Sequence, residues 1–461
     1  MRNFTKHLLM IGSLIAAMLL SLLQPSAGFA KQSAVIKYRY TYLTSVSDKL
    51  TIKMVNVNTG TVDILPADPP EGKFLYQVLT SPTGEWLALL FKLPTLDSNK
   101  NLIRLVNISS KETRDIILPS GQIGLSADHT WSPDGQYMAF EMQLDQGPIN
   151  AYIYSIANDT LSPIITNVDY FGYYVWSNDS SQLAISQGRC PNPEECNARI
   201  ETFDISTHTR KLSLDLAKLS LGYAWQEDVC NLTWSPGMRY VSFAALCDDS
   251  MDVAIKGLEE VYVWDTQTDK VSRLTSFTAD LLANDKSVIK FAANYQTHWY
   301  DAQTLVVGAH WSGTKADPTE KTRIIAYNMA NNTSRVLSSD FLYEFAINPV
   351  SRQIALKVFS PLIKKAADVP PYDERIVALT NDSGTFKLNT VIDVTGCHFA
   401  WSPDGAYLFF NKYTGPDCVI RADKFAFLDK SNNEVKLTLP AEEGEVTPIG
   451  WVVSPPSSAT K

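Results

Sequence analysis

Signals for α-helices and for common catalytic sites are scarce in this chain of 461 residues. Helix-like patterning occurs only near Leu214 and Leu362, and both stretches are short enough to be loops, which excludes a largely helical fold. The sequence contains no G-x-S-x-G, H-E-x-x-H, P-loop or G-x-G-x-x-G motif. The linear signatures of α/β-hydrolases, zinc proteases, P-loop enzymes and dinucleotide-binding enzymes are therefore missing.

Excess positive charge and histidine are also lacking. The formal net charge is −9, which argues against nucleic acid or an anionic membrane surface as a partner. The histidines that follow the N-terminal segment do not share one strand position, so we expect them to pack in the core or at strand edges. We predict no metal and no cofactor. These histidines are His129, His208, His298, His310 and His398.

The first 30 residues, MRNFTKHLLMIGSLIAAMLLSLLQPSAGFA, have the organisation of a secretory signal peptide. Basic residues precede an apolar core, and Gly28 and Ala30 supply small residues for cleavage after Ala30. A retained membrane anchor is the alternative, but the apolar core is short for a membrane span. We expect an exported protein with no membrane span after cleavage, secreted, periplasmic or on the cell surface.

The five letters Trp-Ser-Pro-Asp-Gly occur twice, in TWSPDGQYMAF from Thr130 and in AWSPDGAYLFF from Ala400. Ser-Pro-Asp-Gly is typical of a tight turn, because proline presets φ and glycine accepts the last turn position. A short apolar run follows each copy, which predicts a strand buried on both faces. We therefore interpret Ser132 and Asp134 as turn-forming and not catalytic.

Degenerate copies of this unit recur along the chain, with 45 to 65 residues between neighbouring anchor positions. That spacing is close to the length of a four-stranded propeller blade with loop insertions. The anchors are Thr80, Trp131, Trp176, Trp234, Trp299, Ile347 and Trp401.

Each gap between anchors contains a hairpin pattern, such as EVYVWDTQTDKVSRLT from Glu260. A further hairpin starts at Leu50, after a strand-like VIKYRYTYL from Val35, and its missing inner strand is PIGWVV, Pro448 to Val453. Pairing between the termini closes the ring. The predicted fold is an all-β propeller of four-stranded antiparallel blades, with eight blades and seven as the alternative. The domain covers 31–454, and 455–461 form a disordered tail.

The repeated WSPDG unit with its hairpin resembles the TolB-type, WD-repeat-like β-propeller family, and also the propeller domains of prolyl-oligopeptidase-like enzymes. The resemblance covers nearly all of the chain after Val35. The chain has no room for the α/β domain that precedes the propeller in TolB, so a role in the Tol envelope system does not follow. It also lacks a hydrolase domain.

Six cysteines in an exported chain are expected to pair. Cys230 and Cys397 each lie four residues before an anchor tryptophan, and Cys247 and Cys418 each follow the next strand. Since neighbouring antiparallel strands bring these ends together, we predict Cys230–Cys247 and Cys397–Cys418, which leaves Cys190–Cys196. A zinc site is the alternative, but the spacings lack paired C-x-x-C.

Long insertions are predicted on one face only, the face that carries the loops between second and third strands and the connections between blades. Binding residues concentrate on loops held by a rigid scaffold, so we predict the site there. Aromatic side chains are favoured at protein and sugar interfaces, although each could instead pack a loop onto a blade. Asp248, Asp249 and Asp252 either bind a cation or are simply solvated. The aromatic candidates are Tyr170, Phe171, Tyr173, Trp225, Trp311 and Tyr372.

These features predict a non-catalytic binding module, monomeric, whose partner is a protein or a component of the cell envelope. The alternative is a propeller enzyme, a hydrolase or lyase acting on a glycan or lactone, with carboxylates or histidines gathered at the central channel. Propellers support such sites without any linear motif. Convergence of the histidines and carboxylates would favour the enzyme, and dispersal would favour binding.

Overall fold

Short strands and tight turns make up nearly all of the described chain. One compact unit spans Tyr38–Ser454, and the predicted signal peptide and C-terminal tail lie outside the residues described. A computed structural model describes residues 38–46, 49–93, 101–119, 122–124, 130–143, 147–189, 197–219, 229–245, 260–275, 294–311, 321–338, 341–361, 372–382, 385–392, 397–411, 425–435 and 445–453.

In these residues the strands form eight antiparallel sheets, which we label A to H. Sheet A contains β1 (Tyr38–Val46), β2 (Lys49–Asn56), β3 (Val62–Leu65) and β31 (Glu445–Val453). Sheet B contains β4 (Phe74–Thr80), β5 (Trp86–Lys92), β6 (Leu102–Asn107) and β7 (Thr113–Ile116). Sheet C contains β8 (Gln122–Gly124), β9 (Tyr137–Gln143), β10 (Ile149–Ser155) and β11 (Thr160–Val168). Sheet D contains β12 (Tyr170–Trp176), β13 (Gln182–Arg189), β14 (Asn197–Asp204) and β15 (Thr209–Asp215).

The second half of the chain repeats this arrangement after a short 3-10 helix, Leu216–Leu219. Sheet E contains β16 (Val229–Trp234), β17 (Tyr240–Ala245), β18 (Glu260–Asp265) and β19 (Lys270–Arg273). Sheet F contains β20 (Asn294–Trp299), β21 (Thr304–Trp311), β22 (Lys321–Asn328) and β23 (Thr333–Ser338). Sheet G contains β24 (Phe341–Ile347), β25 (Ile354–Pro361), β26 (Tyr372–Asp382) and β27 (Thr385–Ile392). Sheet H contains β28 (Cys397–Trp401), β29 (Tyr407–Asn411) and β30 (Phe425–Asp429).

Each sheet is buried between two others, so its second strand is apolar on both faces. In β5 every residue from Trp86 to Phe91 is buried, and the same holds for all of β17. Each fully buried large aliphatic side chain contributes roughly 1.5–3 kcal/mol to folding. The apolar runs that follow the turn motif therefore contribute a large share of the buried core.

Shared hydrophobic clusters join the sheets in succession and return to the first sheet. Each cluster contains residues from two consecutive sheets, which is the packing of a β-propeller. Representative pairs are Val452 and Leu87 (A and B), Leu90 and Met138 (B and C), Ile153 and Tyr174 (C and D), Ile200 and Phe243 (D and E), Val263 and Leu305 (E and F), Val306 and Leu356 (F and G), Ala355 and Leu408 (G and H), and Phe409 and Val55 (H and A).

The two ends of the described chain meet in sheet A. Strand β31 pairs antiparallel with β1, from Tyr38 opposite Val453 to Ser45 opposite Glu445. Because β31 lies at the end of the sheet next to β1, it occupies the innermost position that the sequence predicted for PIGWVV. The protein is thus an all-β β-propeller whose N- and C-terminal strands share one sheet.

The serine of the turn motif organises the turn from inside. Ser132 and Ser402 are fully buried, and their hydroxyls donate to Asp134 and Asp404 at 2.6 and 2.7 Å. The same hydroxyls accept from a backbone N–H five residues later at 2.9 Å. The degenerate copies keep the accepted hydrogen bond, because a backbone N–H five residues later also donates to the hydroxyl of Ser81, Ser177 and Ser235.

A tryptophan of the innermost strand connects neighbouring sheets. The rings of Trp176, Trp299 and Trp451 stack on a tyrosine that begins the second strand of the preceding sheet. In addition, Trp451 Nε1 donates to the carbonyl of Ala400 at 2.8 Å. The motif therefore specifies both a turn within a sheet and a contact between sheets.

Candidate functional site

The two faces of the propeller differ in the length of their connections. On one face, the turn face, connections are tight and often contain one residue with positive φ, such as Gly135 or His208. On the other, the loop face, β17 ends at Ala245 and β18 begins at Glu260, and 20 residues separate Arg273 in β19 from Asn294 in β20. This asymmetry matches the division of loops predicted from the sequence.

The predicted aromatic site residues that the structure places lie at the loop-face ends of strands. Tyr170, Phe171 and Tyr173 belong to the first half of β12. Trp311 is the last residue of β21, and Tyr372 is the first residue of β26. Tyr173 is exposed, with 48% of its surface accessible. The predicted residue Trp225 lies outside the described residues.

Innermost strands carry a β-bulge near the loop face in several sheets. The pairing shifts between Leu75 and Gln77 in β4, and between Phe171 and Tyr174 in β12. Corresponding shifts occur in β16, β24 and β28. A bulge re-aims the extra residue and is often found beside functional sites. The innermost strands of a propeller border its central channel, so these residues lie around the channel mouth.

Tyr76 is a bulge residue that is not among the sequence-predicted site residues. It is 57% exposed, and Phe74, also exposed, contacts it edge to face with ring centroids 6.4 Å apart. The ammonium of Lys92 lies 3.5 Å from the centre of the Tyr76 ring. A signal was present in the sequence, because FLYQV from Phe74 contains aromatic residues at the start of an innermost strand, as does YFGYY from Tyr170.

Glu141 is a partly buried carboxylic acid near the same face. It lies in β9, opposite Gly124 of β8 and Ala151 of β10. Burial raises the pKa of Glu141 to about 7. Near neutral pH this side chain is therefore both protonated and ionised in comparable amounts, which is a property of general acids and bases. No motif surrounds Glu141 in the sequence, so its burial could not be predicted from its neighbours.

Two other buried glutamates are neutralised by arginine and have structural roles. Glu201 accepts from Gln187 at 2.9 Å and from Arg210 at 2.9 Å, and Ser213 also donates to it. Glu260 pairs with Arg273 at 3.0 Å and accepts from the hydroxyl of Thr275. Both bridge the third and fourth strands of their sheets, so they tie the outer strand to the blade.

The histidines and acidic residues that the structure describes do not form a metal-binding group. His298 is exposed and contacts Phe345 edge to face at 4.9 Å, and His208 lies on the turn face. His310 and His398 are placed only as positions in β21 and β28. His129 lies outside the described residues, as do Asp248, Asp249 and Asp252.

Cys230 is disulfide-bonded, and none of the cysteines described is free. Its predicted partner Cys247 lies outside the described residues, as do Cys190, Cys196 and Cys418. Cys397 is placed only as the first residue of β28. The three proposed pairings therefore stay predictions. Among the residues described, no helix has the length and hydropathy needed to cross a bilayer.

Comparisons with known proteins support the fold and leave the function open. No family model matches the sequence. No curated protein matches it either. A crystal structure of the eukaryotic initiation factor is similar with a TM-score of 0.50 and 13% identity, covering 90% of this chain and 98% of that one.

Two further solved structures are similar at lower scores. The β-propeller domain of the Trilobed protease from Pyrococcus furiosus has a TM-score of 0.43 and 12% identity, covering 80% of this chain and 98% of that one. TolB from Acinetobacter baumannii has a TM-score of 0.35 and 13% identity, covering 90% and 83%. At 12–13% identity the likeness concerns the β-propeller fold alone.

Proposed function

We propose that this protein is an exported, non-catalytic binding module that holds a protein or a cell-envelope component on its loop face. One observation carries the proposal: bulges in the innermost strands of sheets B and D present two exposed tyrosines, Tyr76 and Tyr173, at the loop-face end of the channel. Exposed tyrosines held by rigid strands are typical of binding surfaces, because they add contact area at little cost in conformational entropy.

The rigid frame beneath this face supports the same proposal. We propose eight blades, one for each sheet; the fourth strand predicted for sheet H, EVKLTL from Glu434, lies outside the described residues after Val435. The start of that strand is consistent with this, because Leu428 bridges Glu434 and Val435 donates to the Phe427 carbonyl at 2.8 Å. A closed ring of blades is a rigid scaffold that holds long loops in fixed positions.

Export is proposed from the leader-like residues 1–30 and from the cysteines. A disulfide at Cys230 is what an oxidising compartment permits. We further propose that the protein acts as a monomer, which gel filtration coupled to light scattering would test.

The test is affinity capture from an envelope extract of the protein's own host. The full chain is compared with a variant in which residues 246–259 and 362–371 are shortened, since β17 and β25 end just before these loops. A turn-face variant, Val350→Asp, is the matched control because Val350 is 66% exposed on the opposite face. We expect capture by the full chain and by the control, and loss of capture when the loops are shortened. Equal capture by all three would contradict the proposal.

An enzyme acting on a glycan or lactone is the second candidate, and Glu141 is the observation that favours it. A carboxyl with a pKa raised to about 7 could act as an acid in bond cleavage. Release of reducing ends from a neutral oligosaccharide by the full chain, and its loss in Glu141→Gln, would favour this candidate over pure binding.

A further inference from the structure

Two exposed aromatic side chains and one lysine meet at the loop-face end of sheet B. Phe74 lies opposite Lys92 in the pairing of β4 with β5, so their side chains share one face of the sheet. Leu90 packs in the cluster between sheets B and C, and side chains alternate along a strand, so this is the face toward sheet C. Tyr76 is the extra residue of the β4 bulge and contacts the same lysine. We call Phe74, Tyr76 and Lys92 the Tyr76 patch.

The side chains of the Tyr76 patch fix one another in place. The rings of Phe74 and Tyr76 meet at an interplanar angle of 71°. The Lys92 ammonium lies over the Tyr76 ring at the distance of a cation–π interaction. Both rings nevertheless remain exposed, whereas Leu75 between them is buried. The patch is therefore an ordered part of the surface and does not belong to the packing between sheets B and C.

The hydrogen-bond donors of the patch have no acceptor in the described part of the chain. No described carboxylate pairs with Lys92, whereas Arg104 and Arg239 each pair with an aspartate. The hydroxyl of Tyr76 likewise makes no hydrogen bond to another described residue. An ammonium group has three N–H donors, and the tyrosine ring covers only one side of it. A carboxylate carried next to an apolar group would satisfy these donors and cover the rings at the same time.

The local charge favours an acidic partner over a basic one. Between Glu71 and Tyr76 the chain has one acidic residue, which Lys73 balances, so Lys92 leaves this end of sheet B with an uncompensated positive charge. Charge complementarity across an interface selects between partners, and a lysine or arginine facing this ammonium would be repelled. The net charge of −9 would repel a strongly acidic protein as a whole. We therefore expect a contact with one or two carboxylates, not with a polyacidic surface.

We propose that the Tyr76 patch binds a protein segment in which an aspartate or glutamate side chain lies next to an apolar one. The carboxylate accepts from the Lys92 ammonium and the Tyr76 hydroxyl, and the apolar side chain packs against the exposed ring of Phe74. Aromatic residues beside a cation are common anchors of protein interfaces. The inference rests on the proposed function: it names the chemistry of the partner and one contact surface on the loop face.

Selection from a phage library of random dodecapeptides, with the immobilised full chain as bait, tests the proposal. The peptides are fused to the coat protein through their C-terminal ends, so their carboxylates come from aspartate and glutamate side chains. We expect the selected peptides to be enriched in an acidic residue next to an aromatic or aliphatic one. With Lys92→Glu as bait, the enrichment should move to lysine and arginine, because this change inverts the charge and leaves both rings in place.

Fluorescence anisotropy of one selected peptide then measures the contribution of each side chain. Phe74→Ala and Tyr76→Ala should each weaken binding about tenfold, and Lys92→Gln about fivefold. Val350→Ala, at an exposed position on the turn face, is the matched control and should leave the Kd unchanged. Added salt should weaken binding to the unaltered protein much more than binding to Lys92→Gln, since only the former makes the charged contact.

The proposal is wrong if the selection yields no peptide or shows no preference for acidic residues. It is also wrong if the selected peptides bind all patch variants equally, because their site then lies elsewhere. Circular dichroism checks that each variant folds, and the two Lys92 variants decide the question if an alanine variant does not. If peptide binding fails while loop-dependent capture persists, the partner chemistry is wrong and the proposed function stands; failure of both removes the loop face as a binding surface.

Discussion

Ser132, Ser177 and Ser402 each donate to an aspartate and accept from a later backbone N–H with the same hydroxyl group. The accepted bond is the one that persists where the surrounding residues vary. The bond to the later backbone N–H persists at Ser177, where the following residues are Asn-Asp-Ser, without proline or glycine. At Asn348 the serine itself is replaced, and the Asn348 amide oxygen accepts from Val350 and Ser351. The turn therefore depends on a buried side-chain oxygen that accepts backbone N–H groups more than on the identity of the surrounding residues.

Gly405 should be intolerant of any side chain. Its φ is +68°, and a Cβ atom there would lie 2.8 Å from the amide nitrogen of Asn348. That amide is 2% exposed and donates to the Gly405 carbonyl at 2.9 Å, so it cannot move aside. We expect Gly405→Ala to destabilise the protein by roughly 3 kcal/mol, of which about 1 kcal/mol is backbone strain.

Gly72→Ala is the matched control for this prediction. Gly72 has nearly the same φ, +75°, and no atom lies within 4 Å of a Cβ built there. It should cost only the backbone strain, about 1 kcal/mol. Calorimetric unfolding of both variants measures the difference in their free energies of unfolding. Equal destabilisation would show that the contact with Asn348 contributes nothing to it.

The indole N–H groups of Trp451 and Trp131 should contribute differently to the free energy of unfolding. Trp451 Nε1 donates to Ala400, whereas Trp131 Nε1 is buried and has no partner among the described residues. Trp451→Phe removes a hydrogen bond and should cost about 1 kcal/mol more than Trp131→Phe, which removes an unsatisfied donor along with a similar packing volume. Urea unfolding of the two variants checks this, and a larger loss for Trp131→Phe would contradict it.

At this scale the sequence predicts the turn residues well and the contacts between sheets poorly. Turn chemistry is local, so Ser132 and Asp134 could be assigned a turn-forming role from their neighbours alone. The stacking of Tyr407 on Trp451 joins residues from different sheets, and no local rule specifies it. For the same reason, the sequence does not show which indole groups find a carbonyl.

At the scale of strands, the bulges are the feature that links the fold to the candidate site. They leave Tyr76 and Tyr173 exposed on strands whose neighbouring residues, Leu75 and Tyr174, are buried. A bulge is set by pairing between two strands, so the sequence predicted the existence of β4 and β12 but not which residue would be displaced. Tyr173 was selected as an aromatic near a loop, and Tyr76 was missed because it lies within a regular strand pattern.

Glu141 makes the stability of sheet C depend on pH. Its pKa is about 7 in the folded protein, against 4.5 for an unperturbed side chain, so the folded state holds a proton that the unfolded state loses between those values. Its contribution is therefore most favourable below about pH 4.5, declines as pH rises toward 7 and is least favourable above it. The full effect is at most about 3 kcal/mol, and less where water reaches the carboxyl group.

Glu141→Gln removes this titration and should stabilise the protein at pH 8 while leaving stability at pH 5 nearly unchanged. Differential scanning calorimetry at the two pH values measures the change in unfolding midpoint. Glu71→Gln, at an exposed position between sheets A and B, is the control and should show no such pH-dependent gain. An equal gain at both pH values would mean that the carboxyl is not held neutral by burial.

At the scale of the whole molecule, ring closure depends on the C-terminal strand. Strand β31 supplies the innermost strand of sheet A, and its Val452 is fully buried in the cluster between sheets A and B. Its Trp451 contacts sheet H through both a stacked ring and a hydrogen bond. One strand thus joins three sheets. The sequence predicted this pairing from repeat counting, because a repeat that lacks one strand must obtain it from the other terminus.

Removal of residues 445–461 should therefore be more damaging than any single substitution considered above. It leaves β1 with an unpaired edge and exposes the apolar faces of sheets A, B and H, so we expect loss of cooperative unfolding and aggregation through the free edge. Removal of 455–461 alone is the control, since those residues follow the last described strand, and it should leave the unfolding midpoint unchanged. Calorimetry and light scattering distinguish the two deletions. A cooperative, monomeric protein lacking β31 would show that the ring does not need its closing strand for stability.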